Sequence, residues 1–488
     1  MNFLITLFSF FISFVATATN TTTFVYDQMG LEIQRLLPGQ VQQITTRDAL
    51  GRPTEQLTGH ASKRQRSRKY NWTTSNRLTQ IIDSATGTTH FDYNKEGYLT
   101  QAKYADGTTT NRYPDAKGNL YEDANLKDRE YAHGGKLIKK GSWHYKYNHQ
   151  GFLTTKYKKV GRIFVIKEDE WNYEWNSAGL LEKVYRPDGA IVKFGYDALG
   201  RRIFKHYKQT FTNFVWDGNV PLHEFKSFQT QDALTPPSGV GGLITWIFEE
   251  DSFSPIAKLR GEKKYSILAD HLGTPYESYD DKGDLVWSRE LNSNGKVLKE
   301  TGIANFCPFL YQGQSFDNEI ELAYNRFRYY DVEDGRYISQ DPIGLLSGEF
   351  GFYNYVEDSN SVIDVFGLAK SYVRKNQVLT YNNFKKKSKV GDKLAGHELL
   401  QNSILKKKGL TKKRLDTDAS KNNPVIALDD ETHKIVNKAQ IDQKTSEMNV
   451  VDNIETNAKI LSDNGVPQTK VNAIKKQAIK HAKNLKIY

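Results

Sequence analysis

Two sets of residues in this sequence have the types that catalysis requires. One lies in the last quarter: His397 and Glu398 are adjacent, Asn422 and Asn423 follow, and His433 stands ten residues beyond Asn423. A neutral imidazole accepts a proton near pH 7, and imidazoles and carboxylates both ligate divalent metals. The other set is Asp341, Asp364 and Arg328, with the two carboxylates 23 residues apart. Two neighbouring carboxylates share one proton, leaving one as base and the other as acid. A cation beside them keeps one ionised and polarises a carbonyl oxygen. Whether either set converges depends on the elements that carry it.

Those elements belong to two different physical programmes that meet near Leu368. Residues 369–488 hold 25 Lys and Arg against 12 Asp and Glu, whereas residues 1–368 hold 43 against 45, so the net charge of +11 resides in the tail. Aromatics divide the other way: all seven Trp, 24 of 25 Phe and 25 of 28 Tyr precede residue 369. A basic module of this size suits a polyanionic partner, since counterion release gives sequence-independent affinity. Cys307 is the one cysteine, which excludes a disulfide framework and a Cys-based zinc site. No H-x-E…C-x-x-C set is present, which argues against a zinc deaminase, and no Gly-rich phosphate loop occurs. At the N-terminus, the apolar run Phe3 to Val15 followed by Ala16-Thr17-Ala18 has the form of a signal peptide over residues 1–18.

The aromatic-rich part is repetitive. An aromatic, then Asp or Asn, two residues and Gly recurs at Tyr26, Tyr93, Tyr147, Trp175 and Tyr196, with a variant at Arg47; Trp175 and Tyr196 are 21 residues apart. Such a period marks a repeat architecture. Between the repeats, stretches such as "LLEKVYRPDGAIVKFGY" alternate apolar and polar positions around Asp188-Gly189, the pattern of a tight β-hairpin. One hairpin cannot bury its own face, so the units must stack. The turn "DHLGTP" around Asp270 and His271 reads as packing rather than chemistry.

These units, with "FVWDGNVPLHEF", "TWIFEEDSFSPIAKL", "DHLGTPYESYDDKGDLVWS" and "YQGQSFDNEIELAYNRFRYYDVEDGRYISQDPIGL", closely resemble the C-terminal part of Rhs/YD-repeat proteins over residues 23–368. The resemblance implies a mainly β fold: a partial, curving shell of hairpins over 23–345 and a core terminus over 346–368, behind which lies a variable effector. It also implies self-cleavage. The family's D-P-x-G-L motif, cut after Leu by an aspartic-protease-like pair, corresponds to Asp364-Val365-Phe366-Gly367-Leu368, with Ala369 following and Val365 in place of Pro. Asp341 would be the second carboxylate and Arg328 the accessory arginine.

Residues 369–390, with "KKKSK", read as a polar linker, and 391–488 as a small α+β or mostly α domain. Leu394, Leu399, Leu400, Ile404 and Leu405 have helical spacing with Gly409 as cap, so His397 would open a helix. "PVIAL" reads as a strand, Asp429 or Asp430 as the cap of a helix carrying His433, and "KVNAIKKQAIKHAKNLK" as an amphipathic helix. The order Gly-His-Glu, Asn-Asn-Pro, His resembles HNH or His-Me finger nucleases. That resemblance implies His397 as general base, Asn423 or Asn422 as its orienting amide, and His433 as ligand of Mg, Mn or Zn. Because Gly396 stands where the family has a ligand, Glu398 or Asp392 would supply the second. The expectation is a secreted or surface-borne polymorphic toxin whose tail acts inside a target cell on nucleic acid, DNA before RNA, with a delivery machinery and an immunity protein as partners. A metal-independent RNase and a non-enzymatic adhesion remnant are the alternatives.

Overall fold

The computed structural model describes residues 12–488 except 18–19, 28–30, 61, 63–64, 162–165, 229–241, 251, 345–350, 369–375, 377 and 389–393. Most of the expected signal peptide, together with Ala369 and Asp392, thus lies outside the described residues. Ile12–Thr17, which begins within its apolar run, is a strand. Among the described residues, no helix is long and apolar enough to cross a membrane.

The repeated aromatic-Asx-x-x-Gly element turns the chain between strands. At Asn94 the backbone N–H donates to the Tyr98 carbonyl and Gly97 N–H returns to the Asn94 carbonyl, both at 3.0 Å. The Asn94 side chain accepts from Tyr98 N–H at 2.8 Å. Asp197 does the same from Arg201 N–H at 2.8 Å, and Asn148 from Phe152 N–H at 2.9 Å. A short polar side chain that bonds the backbone of its own turn explains Asp or Asn at the second position. Gly at the fifth takes φ +88° at Gly97 and +73° at Gly200, a region that favours glycine.

The aromatic couples one hairpin to the one before. Strand register shifts between Asp92 and Tyr93, and again between Gly195 and Tyr196. At these bulges the ring reaches back. The Tyr93 hydroxyl donates to the Leu78 carbonyl at 2.8 Å, Tyr196 to Leu181 at 2.7 Å, and the Trp175 indole to Leu153 at 2.7 Å. Each contact buries a large ring and satisfies a backbone carbonyl together.

Among the described residues, this stitching produces antiparallel meanders of ten strands, ending at Thr109–Asn111, and of sixteen, from Arg129–Ala132 to Val297–Gly302. Buried polar ties join distant hairpins: Arg66 bridges Asp83 at 2.6 Å and Glu277 at 3.0 Å. The Asp270 turn is packing, as expected, with Asp270 accepting from Thr274 N–H and His271 Nε2 against the Asn360 carbonyl, both at 2.9 Å. A four-stranded sheet follows, made of β1 (Ser315–Asp317), β2 (Leu322–Asn325), β3 (Arg328–Asp331) and β4 (Arg336–Tyr337). Segment 351–368 is tied to it and to the hairpins, with Tyr337 N–H on the Tyr353 carbonyl and buried Arg112 on the Val356 carbonyl, both at 2.9 Å.

The chain divides into two compact units, one of Leu36–Lys370 with Ala16–Thr22, the other of Ser371–Tyr488 with Thr23–Arg35 and Met1–Val15. The second is α+β: β5 (Val378–Thr380), α1 (Tyr381–Lys387), β6 (Leu394–Glu398), α2 (Asn402–Lys407), α3 (Asp418–Lys421), β7 (Pro424–Asp429), α4 (Asp430–Asp442), α5 (Val450–Asp463) and α6 (Gln468–Asn484). β7 lies between β5 and β6, antiparallel to both. Two expectations are corrected here. The linker at 369–390 contributes β5 and α1, because Tyr381 and Phe384 pack with Val425 and Ala427. The helix opened by His397 is a strand, because β7 is buried and needs a partner, and pairing overrides helical spacing. The cap at Asp429 holds: its carboxylate accepts from Thr432 N–H at 2.9 Å.

Replacing Tyr196 by Phe removes its hydroxyl from the Leu181 carbonyl and from the Tyr329 hydroxyl at 2.9 Å. The denaturation midpoint followed by Trp fluorescence should fall, corresponding to about 1–2 kcal/mol. An unchanged midpoint would mean that ring burial alone couples the hairpins.

Candidate functional site

The Asp341, Asp364 and Arg328 set does converge, at the end of the hairpin unit. β3 places Arg328 in the buried sheet, and its guanidinium meets Asp364 at 3.1 Å and Asp341 at 3.9 Å from the same Nη2. The other nitrogens donate to the Phe352 carbonyl at 3.2 Å and to the Gly367 carbonyl at 2.5 Å. Asp364 accepts from the Tyr337 hydroxyl at 2.9 Å and, through its second oxygen, from Leu368 N–H at 3.0 Å. The peptide unit between Gly367 and Leu368 is therefore gripped at its oxygen by the arginine and at its nitrogen by the carboxylate. Burial pushes the Asp364 carboxyl above the usual range, against the opposing Arg328 charge and the hydrogen bonds from Leu368 N–H and Tyr337. Burial also holds the Tyr337 phenol well above its ordinary value, with Asp364 adding to the effect. It therefore donates as a neutral group.

Val365, standing where the family has Pro, is fixed by packing instead of by a ring. A Cβ on Gly313, whose φ is +85°, would lie 2.1 Å from the Val365 carbonyl oxygen. The neighbouring Phe366 stacks edge-on with Phe253 at 5.4 Å.

The second set separates. His397 and Glu398 are consecutive in β6, and consecutive strand residues point to opposite faces. His397 faces α4: its Nε2 pairs with the Gln440 amide at 3.0 Å and its ring lies 5.6 Å from His433, edge to face. His433 contacts Asn437 one turn along the same helix. Burial, with smaller contributions from His433 and Arg414, depresses His397 to about 3. Burial also lowers His433, with Asp430 opposing. Glu398 faces the other side, where it accepts from Asn402 N–H at 3.0 Å and meets Arg414 at 3.3 Å. Burial raises its carboxyl, with Arg414 opposing. Asn423 donates to the Leu400 carbonyl at 2.8 Å rather than to His397, and Asn422 caps α3.

This arrangement bears directly on the expected divalent ion. Among the described residues no three His, Cys, Asp or Glu side chains are grouped to hold one. Glu398 cannot join His397 and His433, because the strand turns it away, and the Gln440 amide occupies the Nε2 of His397. Among the described residues, His397, His433 and Glu398 are therefore not placed to hold one ion together, while Asp392 lies outside those residues.

The chain matches the family described as Teneurin YD-shell over residues 65–347, more than half of its length. This chain belongs to that family. The YD-shell protein is similar to the Double-stranded DNA deaminase toxin A of Burkholderia cenocepacia, 28% identical over 380 residues, 72% of this chain and 26% of that relative. It is also similar to the Probable deoxyribonuclease RhsA of Dickeya dadantii, 27% identical over 394 residues, 73% of this chain and 26% of that relative. The chain thus spans about a quarter of the length of these relatives. Among solved structures, the Photorhabdus luminescens Tc holotoxin pore matches with a TM-score of 0.50 at 14% identity, covering 72% of this chain and 19% of that one, a likeness of fold.

Several residues of the two centres carried no sequence signal. Tyr337 is one of 28 Tyr, and nothing in its spacing links it to Asp364. Gln440 and Asn437 could have been found, since they follow His433 by seven and four residues and share its helix face.

The lowered histidines make the C-terminal unit acid-sensitive. The unfolded chain binds protons on His397 and His433 below about pH 6.5, whereas the folded chain resists to lower pH, so stability falls as pH drops from 7 toward about 4. The helical circular dichroism signal of the full chain should melt earlier at acid pH, and His397→Gln should flatten that dependence. Equal slopes in both proteins would remove His397 as the cause.

Proposed function

We propose that this YD-shell protein is a polymorphic toxin of the Rhs type, which cuts its own chain between Leu368 and Ala369 and carries a nucleic-acid-cleaving domain behind the cut. The grip of Arg328 and Asp364 on the Gly367–Leu368 peptide, with Asp341 on the same guanidinium, carries the reading. In the step, Asp341, beside the cation, takes a proton from water as its oxygen attacks the Leu368 carbonyl. Asp341 then returns that proton to the Ala369 nitrogen as the C–N bond breaks, while Asp364, paired with Arg328 and accepting from Leu368 N–H, holds the segment for the cut. Arg328 holds the preceding carbonyl so that the scissile one is presented.

Mass spectrometry of the purified full chain should find a fragment that begins at Ala369. Asp364→Asn and Asp341→Asn should leave the chain intact, and Gly313→Ala, which displaces Val365, should slow the cut by roughly 100-fold. An uncut wild-type chain across the weakly acidic and neutral range would overturn the self-cleavage.

For the C-terminal domain, its charge of +13, from 25 basic and 12 acidic residues, supports a polyanion substrate, and the relative named a deoxyribonuclease points to DNA. The deaminase chemistry named for the other relative finds no ligand set in this sequence, where Cys307 is the single cysteine and is buried. A second reading, a metal-independent RNase, is favoured by the paired imidazoles with the carboxylate turned away. His433, half-buried and beside Asp430, is the better proton carrier of the two. Full chain incubated with duplex DNA and with structured RNA, each with EDTA or with Mg, Mn or Zn, separates the readings. DNA cleavage abolished by EDTA supports the metal-dependent DNase, RNA cleavage that survives EDTA supports the second, and no cleavage of either refutes both.

A further inference from the structure

From the last turn of α2 onward the chain carries six Lys or Arg in the nine residues 406–414, and no Asp or Glu over 399–415. All six cations are exposed. Lys406, Lys407 and Lys408 close α2, where the helix dipole favours positive charge, and Lys407 Nζ donates to the Ser446 carbonyl at 2.9 Å. That helix end does not account for Lys412, Lys413 and Arg414, which stand on a loop of different construction.

The next carboxylate along the chain serves the loop's backbone and not its cations. Asp416 accepts from the N–H groups of Lys412 and Lys413, both at 2.9 Å, and from the Thr411 hydroxyl. The Thr417 hydroxyl closes the loop on the Leu410 carbonyl at 2.9 Å. Leu415 is held at φ +64° with its side chain against the cluster of Tyr381, Phe384, Val425 and Ala427. Leucine disfavours that backbone region, so the surroundings impose it. An ordered backbone therefore presents these side chains, and among the described residues no carboxylate pairs with Lys406, Lys408, Lys412 or Lys413. Arg414 extends the row: its guanidinium lies over the Tyr381 ring at 5.3 Å, and Lys385 Nζ of α1 lies over the same ring at 5.9 Å. Arg414 also meets Glu398 at 3.3 Å, and after burial its charge helps to lower both His397 and His433. The row thus comes within electrostatic reach of the two imidazoles.

We propose that the ordered loop 406–414, together with Lys385, is the surface on which the C-terminal unit holds the sugar–phosphate backbone of a nucleic acid, independently of base sequence. This rests on the nucleic-acid reading of that unit. Phosphates repeated along a polymer match a row of point charges, and each contact releases condensed counterions. Because the loop is ordered beforehand, little conformational entropy is lost when the strand docks. Arg414, at the end of the row, brings a phosphate toward the imidazoles.

The test is fluorescence anisotropy of the full chain with a short labelled DNA duplex in EDTA, across a range of KCl concentrations. Lys412→Gln and Lys413→Gln together should weaken binding by about 10-fold at moderate salt and reduce the slope of log K against log[KCl] by about 2. Lys476→Gln with Lys480→Gln removes the same charge from exposed positions of α6 and should leave both quantities unchanged. Equal losses in the two double variants, or no loss in the loop variant, would overturn the loop as the surface. Binding to phosphatidylserine vesicles as tight as to the duplex, and lost in the same variant, would overturn nucleic acid as the occupant. Loop-dependent binding by a chain that cleaves no nucleic acid would support this surface while refuting the nuclease reading.

Discussion

The hydrogen bond from a bulged aromatic ring to the carbonyl of the previous hairpin is the constraint on which the YD-repeat architecture rests. A hairpin of five to eight residues per strand has one face to hide and no core of its own. The bond from Tyr196 to Leu181, or from Trp175 to Leu153, fixes how far back the ring must reach. It also locates the bulge, because an unshifted register would leave the ring on the wrong face. The Asx turn then sets where the next strand begins. Stacking, register and turn are consequences of one repeated geometry, and coupling passes mainly between neighbours.

The four-stranded sheet at the end of the unit departs from that rule. Its strands are short, and beside their rings, Tyr324, Tyr329, Tyr330 and Tyr337, they bury charge as well, in Arg328, Asp331 and Arg336. Arg328 and Asp364 are almost fully enclosed, so their attraction is barely screened and their positions are fixed by several hydrogen bonds each. Arginines elsewhere, such as Arg66 between Asp83 and Glu277, use similar pairing merely to join hairpins. What sets Arg328 apart is that two of its donors end on backbone carbonyls of the terminal segment, Phe352 and Gly367.

How much could be read from the sequence depended on whether the determinant was local. The Asx-x-x-Gly turn is local, and it was legible residue by residue, as was the cap at Asp429. The convergence of Asp341, Asp364 and Arg328 followed from motif resemblance, not from spacing. Tyr337 was hidden because a Tyr in a Tyr-rich chain carries no information. In the C-terminal unit the apolar spacing from Leu394 to Leu405 pointed to a helix, yet β7 required a partner and Gly396 lets the Phe384 ring approach where a Cβ would come within 2.8 Å. That single change of element moved Glu398 to the face opposite His397, which no helical reading could foresee.

The grip around Leu368 also has a bearing on turnover. Both contacts, to the Gly367 oxygen and to the Leu368 nitrogen, lie on the side of the seam that stays with the hairpins. A chain severed just beyond them, as proposed, would keep its new terminus in place, with a fresh carboxylate beside Asp364. Such a centre would act as a fuse, spent in one event, and the number of cuts could never exceed the number of molecules.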